Sequence, residues 1–379
     1  MSARVERGEF PGIVALVARG DHVTVDAVGV TRFGGTEPMR RDTPFRIASL
    51  TKPILAAATM ALVEDDVIDL EEPVQKVLPE LADRRVLRRY DAELDDTVPA
   101  RRPITVDDLL TFRLGFGLIT EPEFDPAVPV TKRADDLRLV LGPPEPRTPH
   151  DPDEWIRRFA TLPLIYQPGE RWAYNAGSLI LGVLLARAAK QPLGDVLRER
   201  IFEPLDMRHT GFSLPAAQAQ RLPGQYMTDP ATQRMTESTE TGPLLWSAEP
   251  VFPSGAGGLA STVDDLLSFG RMLLDGGVHG GTRVLSGQSV HQLTSNHLTP
   301  DQIAGAGVLL NGSGWGFGMA VTVRPDEFSA TPGRYGWSGG SGTTWFNDPH
   351  DQLVGIALTQ VSDFLWSGAS TEFQQLAYR

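Results

Sequence analysis

Apolar residues alternate in short runs at both ends of the chain and recur at helical spacing between them. "GIVALVA" (12–18) and "VTVDAVGV" (23–30) flank "RGDH", which predicts two strands around a tight turn. Towards the other end, "GTTWFNDPHDQLVGIALTQ" predicts a strand, a turn at Asp348-Pro349 and a second strand, and "STEFQQLAYR" has helical composition. Between these ends, "NAGSLILGVLLARAAKQPLGDVLRERIFEPLDM" (175–207) predicts two amphipathic helices broken around Gln191-Pro192. "TVDDLLTF" (105–112) and "TVDDLLSF" (262–269) are nearly the same octapeptide, yet their flanks differ. A shared helix start explains them: a Thr N-cap, an Asp three residues on, then an apolar face. The stretch 119–155 is acidic and carries eight prolines from Pro122 to Pro152, and it reads as a long ordered loop of the kind that shapes a pocket or lid. The whole pattern predicts an α/β protein of the α+β kind. Its sheet comes from both chain ends (1–65 and 300–379), a mainly helical part (66–299) packs beside it, and a cleft lies between them.

Composition narrows the functions such a fold can serve. The chain has 379 residues, 41% of them hydrophobic, enough for a large core. A net charge of −13 leaves no basic field for phosphates, so nucleic acid and anionic membrane surfaces are excluded as partners. With no cysteine there are no disulfides, thiolate metal sites or cysteine nucleophile. "MSARVERGEFPG" lacks a signal-peptide apolar stretch and "ILAAATMALV" is too short to span a bilayer, so a soluble, cytoplasmic protein is expected. The seven histidines are scattered with no ligand pair on one helical face, and no metal is expected. "GSGWGFG" (312–318) precedes a strand-like run instead of a helix, which argues against a phosphate loop.

The candidate chemistry begins at "RIASLTKPILAAATM" (46–60). If "SLTKP" opens a helix, Ser49 and Lys52 share a face, and Pro53 suits a first turn. Burial and the positive end of the helix dipole would then push Lys52 toward a usable base. The bland alternative makes Ser49 a helix cap and Lys52 a solvated charge. Lysine occurs only at 52, 76, 132 and 190 in an otherwise Arg-based chain, and arginine cannot act as a base. "GWSGG" (336–340) fits a nucleophile elbow at Ser338, but a glycine-rich turn into a strand follows where a helix is required, and only His350 lies downstream. "PGERWAYNAGSLILG" (168–182) places Tyr174 just before a helix, with Asn175 as its expected N-cap.

The ordered set "SLTK" (49–52), "YNA" (174–176) and "WSG" (337–339) resembles the serine β-lactamase-like family. That family holds class C β-lactamases, D,D-peptidases, D-aminopeptidases and related esterases and transesterases. The likeness spans nearly the whole chain, including "LLTFRLGFG" (109–117) and "SGAGGLASTVDDLLSFGRML" (254–273). It implies the β-lactamase/transpeptidase-like fold, with Ser49 as nucleophile and Lys52 and Tyr174 as proton carriers. It also implies an oxyanion hole from the N–H groups of Ser49 and Gly340. Residues 337–339 would lie on an edge strand, with Trp337, Ser338, Gly339 and Tyr335 against the substrate. Two departures bear on the substrate. The family's tyrosine motif usually ends in Asn, where this chain has Ala176, and its third motif opens with Lys or His, where this chain has Trp337. Both resemble the esterase branch. The expectation is a cofactor-free serine hydrolase of carboxylic esters with small or medium acyl groups. β-Lactam, D-peptide or amide hydrolysis, acyl transfer and a non-catalytic binder are the alternatives.

Overall fold

A computed structural model describes residues 1–119, 128–142, 148–229, 231, 232, 234–238 and 242–379. Seven strands form one antiparallel sheet: β1 (Gly12–Arg19), β2 (His22–Gly29), β3 (Gly314–Trp315), β4 (Ala320–Val321), β5 (Tyr335–Gly339), β6 (Thr343–Asp348) and β7 (Leu353–Leu358). Their order is β3-β4-β5-β6-β7-β1-β2, so the two chain ends meet where β7 pairs with β1 in register Leu16↔Ile356. The two predicted hairpins and the terminal helix, here Ala369–Ala377, are all present.

Both faces of the central strands are covered, which is why "GIVALVA" and "LVGIAL" read as nearly continuous apolar runs. Val14, Leu16, Val354 and Ile356 join the main core, while Ile13, Leu353 and Ala357 face the chain-terminal helices with Phe364 and Phe373. Helix Val263–Leu274, although it falls in the stretch 66–299, packs on the sheet through Phe269 and Trp345.

Helix Thr51–Glu64 runs through the main core, and every residue from Thr51 to Leu62 is buried. Helix Ala176–Ala189 packs against it and ends at Lys190, close to the predicted Gln191-Pro192 break. Its residues 176–185 are buried all round, so it lacks the solvent face expected of an amphipathic helix. The described part of 119–155 is more structured than a loop, with helices Pro129–Asp136 and Pro152–Phe159 each opening on a proline. The remainder of that predicted loop lies outside the described residues.

The repeated octapeptide is one helix start used twice. Thr105 and Asp108 form a reciprocal capping box, and Thr262 accepts from the Asp265 N–H. The second copy also serves another segment, since the Asp265 carboxylate accepts from the His209 N–H and Thr210 Oγ1. Thr105→Ala should lower stability by about 1 kcal/mol, read as a shifted urea midpoint at unchanged slope.

Candidate active site

A 3-10 turn, Ala48–Leu50, precedes helix Thr51–Glu64 and lifts Ser49 out of it. Ala48 takes φ 45°, a conformation that L-residues other than Asn and Asp seldom adopt. Leu50, not Ser49, holds the N-cap position, so the serine hydroxyl is free of a capping role. Lys52, one helical turn on, is 1% exposed. Its Nζ lies 2.9 Å from Ser49 Oγ and donates to the Ala256 carbonyl at 2.5 Å. The bland reading of a cap followed by a solvated charge does not survive this geometry; the other three lysines are the exposed ones.

Burial pushes the Lys52 amine well below its ordinary value, and among the described residues no carboxylate opposes that shift. Depressed in this way, the amine donates to one carbonyl and stands within hydrogen-bond reach of the Ser49 hydroxyl. Tyr174 stands on the other side, its ring centroid 4.6 Å from Lys52 Nζ. Burial pushes its phenol up to about 12, against opposing hydrogen bonds from Ser49 and Trp337. Trp337 Nε1 donates to the Tyr174 oxygen at 2.8 Å. Ser49, Tyr174 and Trp337 are half-buried, whereas Lys52 is buried. The described residues contain no cluster of His, Asp and Glu that could hold a metal ion. Nor do they include a helix long and apolar enough to cross a membrane.

Strand β5 brings the third motif to the serine. Any Cβ on Gly339 would strike the Ile47 carbonyl, so glycine lets the strand end abut the turn that carries Ser49. Gly340 is exposed, one residue past the last ladder pair, Gly339 with Thr343. β5 is not the edge strand that the resemblance implied, because β4 and β3 lie outside it. β4 pairs only with Tyr335 and Gly336, however, and leaves Trp337–Gly339 open on that side.

The strand register corrects two expected substrate contacts. Tyr335 is buried at 4%, accepts from Asn347 Nδ2 at 3.1 Å and packs edge-on against Trp345, so it is a core residue. The Ser338 hydroxyl points to the opposite sheet face from Trp337 and pairs with Thr344 Oγ1 at 2.9 Å. An elbow at Ser338 lacks its helix, because the strand continues into the β5–β6 hairpin, and His350 sits exposed beside Asp351 in the separate turn between β6 and β7.

Three aromatics were missed. Phe112, Trp172 and Trp315 surround Tyr174 with ring centroids at 5.6, 5.7 and 6.4 Å, and Trp315 meets Trp337 edge-on at 4.8 Å. For Trp315 the signal lay in "GSGWGFG", a run with a use unrelated to phosphate. Gly318 at φ 74° lets this segment touch helix Thr51–Glu64, where a Cβ would stand 2.7 Å from the Lys52 carbonyl oxygen. A cavity of about 1070 Å³ lined by Leu193, Phe202, Met207 and Phe252 lies on the helical side, and neither Ser49 nor Tyr174 lines it.

Comparison with known proteins agrees with this geometry. The profile of the beta-lactamase family matches residues 1–377. Esterase EstB of Burkholderia gladioli is 31% identical across 95% of this chain and 87% of its own. The lovastatin esterase of Penicillium rubens is 28% identical across 94% and 90%. Among solved structures, simvastatin synthase LovD of Aspergillus terreus superposes with TM-score 0.80 at 21% identity, covering all of this chain and 96% of that one. With a profile match that runs almost end to end, the chain that carries this Ser–Lys–Tyr cluster belongs to the beta-lactamase family of serine hydrolases.

Proposed function

We propose that the protein cleaves carboxylic esters through an acyl-enzyme on Ser49. The observation that carries this reading is the buried, unpaired Lys52 amine 2.9 Å from the Ser49 hydroxyl. Ser49 Oγ attacks the ester carbonyl as its proton passes to Lys52. The tetrahedral oxyanion is held by the N–H groups of Ser49 and Gly340, a contribution typically worth a hundredfold or more in rate. Tyr174 then delivers a proton to the departing alkoxide, and the C–O bond to the alcohol breaks. Water entering beside Tyr174 attacks the acyl carbon, returns its proton to the Lys52–Tyr174 pair and releases the acid with Ser49 restored. An alcohol in place of that water would make the same site a transacylase.

The ester preference rests on the neutrality of the site. Trp337 stands where the family's lactamases and peptidases present Lys or His, and Ala176 replaces the Asn that reaches their substrate amide. Leu118, 47% exposed and tied by its N–H to the Tyr174 carbonyl, adds an apolar wall. EstB and the lovastatin esterase are esterases by name, which supports the same reading. The cleft is taken to lie between the sheet part (1–65 and 300–379) and the helical part (66–299).

Labelling with a fluorophosphonate followed by peptide mapping should find the adduct on Ser49; an adduct on Ser338, or none, overturns the mechanism. A p-nitrophenyl ester should turn over faster than a chromogenic cephalosporin or a D-Ala-D-Ala peptide, and the reverse ranking would install the β-lactamase or peptidase alternative. Lys52→Arg should abolish turnover despite keeping a cation, because a guanidinium does not accept the proton. kcat/KM should rise with pH along one limb set by Lys52, well below the ordinary lysine value, without a descending limb from Tyr174 until far into the alkaline range. The same shift has a stability sign. A lysine depressed on folding binds more protons when unfolded, so wild-type stability falls as pH drops below the ordinary lysine value toward the folded one. Lys52→Met should therefore gain on the wild type over that window, seen as a widening difference in Tm.

A further inference from the structure

Asn175 follows Tyr174 and takes φ 86° and ψ −52°, the positive-φ γ-turn region, which is rare and strained. It occupies the N-cap position of helix Ala176–Ala189, yet its side chain makes no capping bond. The amide is 7% exposed and donates instead to the carbonyls of Leu141 and Gly142, at 2.7 and 3.3 Å. Those carbonyls end a short strap that is itself unusual. Within it Arg138 and Val140 both have positive φ, 53° and 49°, and a β-branched residue is a genuine outlier there. The alternate carbonyls of Leu137, Leu139 and Leu141 are each engaged by a side chain: His150 Nε2 at 2.9 Å, Trp155 Nε1 at 2.9 Å and Asn175. Leu137 and Leu139 are buried between these pins.

We propose that Asn175 is a positioning residue for Tyr174: by pinning Leu141 and Gly142, its amide holds the strained turn that aims the phenol at Ser49. Strained backbone persists only where its surroundings over-determine it. Three constraints converge on this turn. The Tyr174 carbonyl accepts from the Leu118 N–H at 3.0 Å, the Ala173 N–H donates to the Phe112 carbonyl at 2.8 Å, and the Asn175 amide grips the strap. The Ala173 bond fixes the chain before Tyr174, the Leu118 bond fixes the peptide that joins Tyr174 to Asn175, and the Asn175 amide is the side-chain hold on the turn itself. Without the pin, residue 175 can relax to negative φ, and the ring at 174 turns with it. A strap held at alternate carbonyls by three side chains, of which Trp155 and Asn175 are buried, is a firm anchor for that purpose.

The role rests on the Ser49–Lys52–Tyr174 reading, and the test separates the two. Turnover of a p-nitrophenyl ester is measured per active serine, titrated with a fluorophosphonate, in the full chain. Asn175→Ala keeps the strain and loses the pin, so kcat should fall about tenfold or more with KM within about twofold. Asn175→Gly loses both the pin and the strain, because glycine adopts positive φ freely, and should recover kcat to within about threefold of the wild type. Asn175→Asp tolerates the backbone but sets a carboxylate against two carbonyls; it should behave like the alanine variant and keeps the test alive if that variant folds poorly. Equal loss in the glycine and alanine variants, or wild-type kcat in the aspartate variant, overturns the positioning role. Wild-type turnover by Tyr174→Phe overturns the site reading itself, and this role with it.

Discussion

The structure depends on keeping one lysine amine dry. An ammonium cannot be taken out of water unpaired without a large penalty, so a buried lysine either finds a carboxylate or gives up its proton. Among the described residues, Lys52 hydrogen-bonds to a carbonyl and a serine hydroxyl and to no carboxylate. The apolar helix that carries it, buried from Thr51 to Leu62, therefore does more than fill the core. It supplies the low-polarity surroundings that turn an ordinary lysine into a base. Gly318, pressed against the Lys52 carbonyl, closes the remaining side.

The rest of the cluster follows the same rule. Tyr174 is held as a neutral phenol by burial, and Trp337 answers its oxygen with a neutral N–H where a charged residue would have restored a local field. In the proposed mechanism the developing oxyanion is the main new charge in the site, and the N–H groups of Ser49 and Gly340 are the donors that would act on it; oriented donors are worth most where the surroundings are of low polarity. A substrate carboxylate finds no counter-charge in this arrangement. An ester, neutral before and after attack at its alcohol side, needs none.

Most of the architecture could be read along the chain because its signals are local. Both hairpins, the terminal helix and the twin Thr–Asp helix starts depend on residues within a few positions of one another. Ser49 and Lys52 are likewise local, and the scarcity of lysine singled the pair out. What escaped depends on register and on distant partners. Tyr335 and Trp337 share a strand face by alternation, but only pairing with Asn347 and Trp345 shows that Tyr335 turns into the core. Ser338 faces the other way for the same reason. The aromatic surround of Tyr174 joins Phe112, Trp172 and Trp315, which no local pattern connects. The helices at 129–136 and 152–159 hid behind prolines that, at first-turn positions, start helices instead of breaking them.

Three of the non-glycine residues with positive φ stand beside Ser49 and Tyr174. Ala48 precedes Ser49 at φ 45°, Asn175 follows Tyr174 at φ 86°, and Phe112, edge-on to Tyr174, sits at φ 57°. Conformations of this kind cost on the order of 1–3 kcal/mol each, so three of them take a sizeable share of a typical folding free energy of about 5–15 kcal/mol. Adding a desolvated lysine raises that cost further. A cluster this unfavourable requires a large, well-packed surround to offset it, and the chain provides one: the sheet is covered on both faces, and the two central helices, Thr51–Glu64 and Ala176–Ala189, are buried over most of their length. On this view the size of the fold is a condition of the chemistry. The core holds Ser49, Lys52 and Tyr174 together, with strained backbone at Ala48 and Asn175 beside two of them.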